Sequence, residues 1–356
     1  MNFALNPRKR RILFATITEY IATGKPVGSR TIAKRYGIPL SPATIRNALA
    51  DLEDTGYLHQ PHLSAGRVPT NLGFRCFVDA LATATDVDDA HRSVVLNKLA
   101  SVKPGTDLMT QTAELLSWLT SSATVITPPD PANESLQQLR LMQLQPNRVL
   151  VVIATVSGLV ENRIVITTQQ FSPDDLQRLN NYLDELRGER SLRGVRDALH
   201  DRVNADRGQA AGMRAVLSEI FDAAMNSAPN SAPFVISRPE GVFDRPEFGN
   251  AETIRRFLHA LDDKERLLHL LDTTLETEGV QVAIGNETQL ANGNDISVIS
   301  TRYTRNGEAI GSVGIVGPTR MDYPKFIPLV GFTADVMSRI LAGDTTSTET
   351  EDDSPL

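Results

Sequence analysis

The 356-residue chain contains one cysteine, Cys76, so no intramolecular disulfide can form and no cysteine-rich zinc site can be built. Long apolar runs are missing too. The longest, Val149 to Val156, has the length of a strand and falls far short of the ~18–20 residues that cross a bilayer. The N-terminal stretch MNFALNPRKRRILF puts its basic cluster after its first apolar residues, and no small-residue cleavage site follows, which is not the order of a secretory leader. These absences predict a cytoplasmic protein with no membrane contact. Catalytic signatures are equally scarce: there is no P-loop, no Ser-His-Asp arrangement and no cluster with metal-ligand spacing. An enzyme in the C-terminal part would have to use residues such as His200, His259, His269 and Asp322. His259 and His269 sit ten residues apart on a predicted helix and face different sides. No enzymatic activity, metal or cofactor is predicted.

What is present is segregated. The net charge of −7 and pI of about 5.5 argue against a nucleic-acid partner only if charge is spread evenly. Residues 1–80 carry eleven cations (Arg8, Lys9, Arg10, Arg11, Lys25, Arg30, Lys34, Arg35, Arg46, Arg67 and Arg75) against five acids (Glu19, Asp51, Glu53, Asp54 and Asp79), a net +6 that leaves −13 for the rest. A basic head on an acidic body predicts two tasks in one chain.

The head reads as three short helices. Ile12, Leu13, Ile17, Tyr20 and Ile21 form a helical stripe over 8–23, which Gly24 and Pro26 end. A second helix begins with Ser29 as N-cap, buries Ile32, Ala33 and Tyr36, and stops at Gly37. The third has Ser41 as N-cap and Pro42 at its first position, buries Ile45, Ala48, Leu49 and Leu52, and ends at Gly56. A tight turn between the second and third helices is the helix-turn-helix pattern. By subtraction, Ala43, Thr44, Arg46, Asn47 and Ala50 face outward on the third helix. Arg46 has the donor fork for guanine, Asn47 the donor-acceptor pair for adenine, and Ser41 opens the turn from which base contacts usually come. A solvated helix face would also carry Arg and Asn, so the following segment matters.

That segment, His59-Gln60-Pro61-His62-Leu63-Ser64-Ala65-Gly66-Arg67-Val68-Pro69-Thr70, reads as a short hairpin with a small, flexible tip at Ser64, Ala65 and Gly66, with Arg67 beside it. This is the make-up of a wing that reaches phosphates or the minor groove. His59 and His62 make an H-x-x-H pair beside Pro61 without an evident third ligand, and the metal-free reading is preferred. A helix resumes over Gly73–Leu81, with Phe74, Phe77, Val78 and Leu81 on one side and Cys76 as a packed side chain.

The segments PVGSRTIAKRYGIPLSPATIRNALADLEDTGYLHQPHLSAGRVPTNLGFRCFVDAL, IGNET and GPTRMDY resemble the HrcA family of heat-inducible transcription repressors. The first block is long and ungapped, the last lies more than two hundred residues beyond it, and the resemblance runs nearly end to end. It implies a winged-helix repressor that binds, as a homodimer, an inverted-repeat double-stranded DNA operator upstream of chaperone genes. It also implies that the GroE chaperonin keeps the repressor active and is diverted by heat to unfolded clients. Ala48, at a position often acidic or polar in the family, and Phe77, in place of a common Tyr, are departures that leave the outward face of the third helix untouched.

Beyond an acidic hinge at 84–89, helical runs are predicted at 90–102 and 106–122, with Trp118 in the core, before Pro128, Pro129 and Pro131 break the chain. Leu139–Gln145, Val149–Val156 and Val160–Thr168 read as a three-strand antiparallel meander, followed by helices near 173–187, 191–205 and 208–227. A strand at Phe234–Ser237, one long helix over roughly 251–276 and strands at 280–285, 296–304 and 309–316 follow, with Asn306-Gly307 as a hairpin turn and a last helix over 324–342. Gly311, Gly314 and Gly317 lack the spacing of a dinucleotide fingerprint and are read as close strand packing. Thr319, Arg320, Asp322 and Tyr323 are a possible ligand or chaperonin contact. The preferred reading has them cap the last helix, through Asp322, and staple it to the sheet.

The expected fold class is multidomain α+β: a winged helix-turn-helix at 1–83, a GAF-like α/β domain split between 84–135 and 231–342, an inserted α+β dimerisation domain at 136–230, and a disordered acidic tail at 343–356. The expected base-reading residues are Ser41, Ala43, Thr44, Arg46 and Asn47. The expected wing and backbone contacts are His62, Ser64, Ala65, Gly66, Arg67, Arg8, Lys9, Arg10, Arg11, Ser29 and Arg30. A regulator that senses a small molecule through a GAF-like pocket is the alternative function; an enzyme in the acidic body carries little weight.

Overall fold

The computed structural model describes residues 5–63, 65–81, 86–129, 134–156, 158–187, 191–205, 211–226, 234–290 and 295–343. The N-terminal segment holds α1 (Pro7–Thr23), α2 (Ser29–Arg35), α3 (Pro42–Asp54), the two-residue strands β1 (Leu58–His59) and β2 (Val68–Pro69), and α4 (Asn71–Leu81). Local chemistry sets its boundaries. The Asn6 side chain accepts from the Lys9 amide at the start of α1, and Gly24, in the left-handed region at φ 65°, ends it. Ser41 accepts from the Thr44 amide at 3.1 Å and Pro42 occupies the first turn of α3. One expectation fails here: the cap of α2 is Gly28, with no side-chain hydrogen bond, and Ser29 is the first helical residue and buried.

The body begins with α5 (Asp89–Leu99) and α6 (Thr106–Thr120) and contains a five-stranded antiparallel sheet. The sheet order is β7 (Val235–Ser237), β3 (Ala123–Ile126), β10 (Glu308–Pro318), β9 (Ile296–Arg305) and β8 (Gln281–Ile284). β3 was not expected, because ATVI follows the predicted helix without a breaker. Side chains alternate between the faces. Ala123, Val125, Val298 and Val316 pack with α10 (Ala251–Asp262) and α11 (Lys264–Leu275), while Ile126, Ile299, Val313 and Ile315 pack toward α5, α6 and α12 (Tyr323–Ala342). The single long helix expected over 251–276 is two, because the chain turns at Asp263, whose carboxylate caps α11 by accepting from the Arg266 amide. Gly311 lets β10 pass close to Tyr303; a Cβ there would lie 2.3 Å from the phenol oxygen, which donates to the Thr127 carbonyl at 2.6 Å. Asp322 precedes α12 but makes no side-chain cap, contrary to expectation. Trp118, expected in the core, is 69% exposed on α6.

Between β3 and β7 lie β4 (Leu136–Gln145), β5 (Arg148–Thr155) and β6 (Val160–Ile166), an antiparallel meander, and α7 (Pro173–Arg187), α8 (Leu192–Ala205) and α9 (Ala211–Asn226). The inner face of this sheet (Leu139, Leu141, Val149, Val151, Ile153 and Val165) closes on Leu183, Leu199 and Phe221 as a core of its own. The expected acidic tail falls, apart from Gly343, outside the described residues, as do residues 84 and 85 of the expected hinge.

Candidate nucleic-acid interface

α3 buries Ile45, Ala48, Leu49 and Leu52 and turns Ser41, Ala43, Arg46 and Asn47 to solvent, with Thr44 half-buried. The arrangement is the one its periodicity predicts. Neither Arg46 nor Asn47 makes a side-chain hydrogen bond or ion pair with a described residue, so both planar groups are unengaged. The cap also fixes the exposed turn, since the hydroxyls of Ser41 and Thr44 lie 2.9 Å apart.

Among the described residues the head's cations fall into two sets. Lys9 pairs with Asp51 at 2.9 Å, Arg35 with Glu19 at 2.7 Å, Arg67 with Glu53 at 2.8 Å, and Arg75 with Glu287 and Asp79. Arg8, Arg10, Arg11, Lys25, Arg30, Lys34 and Arg46 have no acidic partner. Of the expected backbone contacts, Arg8, Arg10, Arg11 and Arg30 are exposed and unpaired; Arg10 and Arg11 edge an open groove of about 560 Å³ walled by Phe14, Tyr36 and Ile38. Lys9 and Arg67 are engaged with α3, and Ser29 is buried.

The hairpin differs from a loose tip in a specific way. Val27 and Arg67 exchange backbone hydrogen bonds at 2.9 and 2.8 Å, adding a third strand-like partner to β1 and β2. Gly66 sits at this junction, where a Cβ would lie 2.4 Å from the Val27 carbonyl carbon. It serves close backbone approach, and not the flexibility expected of it. Gln60 ties the turn by donating from Nε2 to the carbonyls of Leu63 and Ala65 at 3.0 and 2.9 Å, and the Ala65 amide donates to His62. Leu63, 101% exposed, projects from the turn beside exposed His62; Ser64 lies outside the described residues. Leu63 was absent from the sequence-predicted site. Its signal was there to read, a large apolar side chain between Pro61 and Gly66 among residues that are small or polar. Burial pushes the Cys76 thiol up, in keeping with a packed side chain.

The family model for the HrcA protein C-terminal domain matches residues 106–327. The heat-inducible transcription repressor HrcA of Sorangium cellulosum (strain So ce56) is 37% identical over 339 residues, covering 94% of this chain and 98% of that protein. The chain belongs to the HrcA family of heat-inducible transcription repressors. The HrcA repressor of Syntrophobacter fumaroxidans (strain DSM 10017 / MPOB) is 35% identical over 342 residues, with 95% and 97% covered. A crystal structure described as that of a hypothetical protein has the same fold, with a TM-score of 0.64 at 22% identity, covering 96% of this chain and all of the other. The HrcA family match starts at α6 and ends inside α12, so it takes in the five-stranded sheet and the inserted meander. The near-full coverage of the HrcA relatives extends the likeness into the head. No helix among the described residues is long and apolar enough to cross a membrane.

Proposed function

We propose that residues 5–81 are a winged helix-turn-helix that docks α3 in the major groove of a double-stranded DNA operator, and that the protein represses transcription by occupying an inverted repeat. The observation that carries this reading is the exposed, unpaired pair Arg46 and Asn47 on a capped helix, flanked by unpaired Arg8, Arg10, Arg11 and Arg30. Ser41, Ala43 and Thr44 line the approach; Arg46 and Asn47 read base edges. The hairpin of His62, Leu63, Ala65 and Gly66 is the wing, with Leu63 as an apolar contact to the groove. Arg67 acts mainly by clamping the wing to α3 through Glu53.

The remaining boundaries follow the same reading. The five-stranded sheet with α5, α6, α10, α11 and α12 is a GAF-like domain at 84–135 and 231–342, interrupted by the insert at 136–230. Support for the insert as a dimerisation domain comes from its outer sheet face, where Met142, Leu144, Val160 and Ile166 are exposed beside Leu150, Val152 and Ile164. A contiguous apolar sheet face of this kind marks an association surface, and a two-fold pair matches an inverted repeat. Dependence on the GroE chaperonin rests on family membership. Comparing operator binding with and without chaperonin, before and after heating, checks it, and no difference would remove it.

The decisive experiment is a gel shift against an inverted repeat selected from a random duplex pool and a scrambled control, titrated with salt. Affinity should fall steeply with salt on both, with the operator retaining a preference. Arg46→Ala should cost about 1–3 kcal/mol on the operator and relax discrimination at one position per half-site. Equal losses on both duplexes would count against base reading.

A further inference from the structure

The motifs GPTRMDY and IGNET lie far from the head in sequence, yet each sends one charged side chain to it. Arg320 donates from Nη1 to the carbonyl of Ile21 at 2.6 Å, in the last turn of α1, and its Nε pairs with Glu247. The guanidinium lies against Gly24, where a Cβ would be 3.4 Å from its central carbon. Glu287 accepts from Arg75 Nε at 3.0 Å, while a second Arg75 nitrogen reaches Glu287 and the Val282 carbonyl. Glu287 is itself oriented by the Ile284 amide, which donates to it at 2.9 Å. Between these two contacts Phe74 stands between Tyr20 and Tyr323, with ring centroids 6.3 and 5.9 Å apart. Tyr323 is held in turn, its hydroxyl donating to the Thr319 carbonyl at 2.7 Å.

Packing does not secure the whole seam. Beside Arg320 a cavity of about 300 Å³ opens between head and body, lined by Tyr20, Pro69 and Phe74 on one side and Arg256, Phe257 and Asp295 on the other. On that flank the guanidinium of Arg320 is a direct tie between head and body among the described residues. A planar donor fork can hold two acceptors in fixed directions, which an ammonium cannot.

We propose that Arg320 and the Arg75–Glu287 pair are positioning residues for operator binding: they set the angle of the head on the body, and so the separation of the two recognition helices in a dimer. This rests on the reading of the head as the operator-binding unit. A dimer gains from its second head only when both helices reach half-sites a helical repeat apart, so a head of fixed angle gives a sharp preference for one spacing. A head released from the latch still binds a half-site but loses that preference.

The test uses the full-length protein, single half-site duplexes, and inverted repeats whose spacer grows one base pair at a time. Arg320→Ala and Glu287→Gln should keep half-site affinity. They should lose about 10-fold at the preferred spacing, the scale of one charge-assisted hydrogen bond, and flatten the spacing profile. Arg320→Lys should fall between wild type and Arg320→Ala. A peaked, undiminished profile in the variants overturns the proposal. Hydrogen exchange without DNA gives an independent readout: amides around Ile21–Gly24 and α4 should lose protection in Arg320→Ala while those of β4–β6 do not. Unchanged exchange at the seam also overturns the latch. Wild type that fails to prefer any repeat over scrambled DNA overturns the operator reading instead, and leaves the exchange result to decide the latch.

Discussion

The head and the insert are both appended to the five-stranded sheet, yet they join it differently. The head shares a core with the body: Ile12, Ile45, Phe74 and Phe77 belong to one apolar cluster with Leu116, Ile315, Tyr323 and Leu329. The insert closes on its own cluster around Val151, Leu183 and Phe221, and among its described residues Leu159 is the one in the body's core. A shared core makes the position of one unit part of the fold of the other; a separate core leaves the unit a fold of its own. On the proposed reading, the difference suits a repressor whose heads must be aimed while its pairing surface need only be present.

Truncations test this contrast most severely. Phe221→Ala and Phe74→Ala should each cost about 3–5 kcal/mol locally, the usual range for a buried Phe. Hydrogen exchange should show the first loss confined to 136–226 and the second spread over α1, α4 and α12. If Phe221→Ala loosens the head as much as Phe74→Ala does, the two regions are not independent and the comparison breaks. Ile166→Asp on the outer sheet face should cost about 3 kcal/mol or more of association, because pairing would bury a charge without a partner. Sedimentation should then show monomers with the head's exchange pattern intact; an unchanged dimer would move the pairing surface elsewhere. The smallest effect concerns the head alone. Ser41→Ala should remove about 1 kcal/mol through loss of the α3 cap, seen as a lower melting temperature of the seam and head with the insert unmoved.

Much of this architecture was legible because it is written in local chemistry. Asn-Gly at 306–307, Ser41-Pro42 and Gly24 each specify a turn, a helix start or a helix end within a few residues, and the structure follows them. The outward set on α3 came from subtraction along one helical period and needed no distant contact. The failures share a different character. Asp263 breaks a helix without glycine or proline, by capping the next one with its own side chain. β3 is four residues long and gains its pairing from β10 and β7, far along the chain. Arg67 looks like a phosphate contact until Glu53 is folded beside it, and Arg320 meets Ile21 across 299 positions. Ion pairs and interdomain ties depend on what the fold brings together, and a single sequence carries no local sign of them.

The exposed position of Trp118 has a practical consequence. It is the only tryptophan in the chain, and its indole already faces water on the surface of α6. Unfolding will change its surroundings little, so its emission is a poor thermometer for any of the three cores. It is instead a native reporter of contact: a blue shift or loss of quencher access at this single fluorophore would register a macromolecule settling on α6, without a label and without disturbing the head.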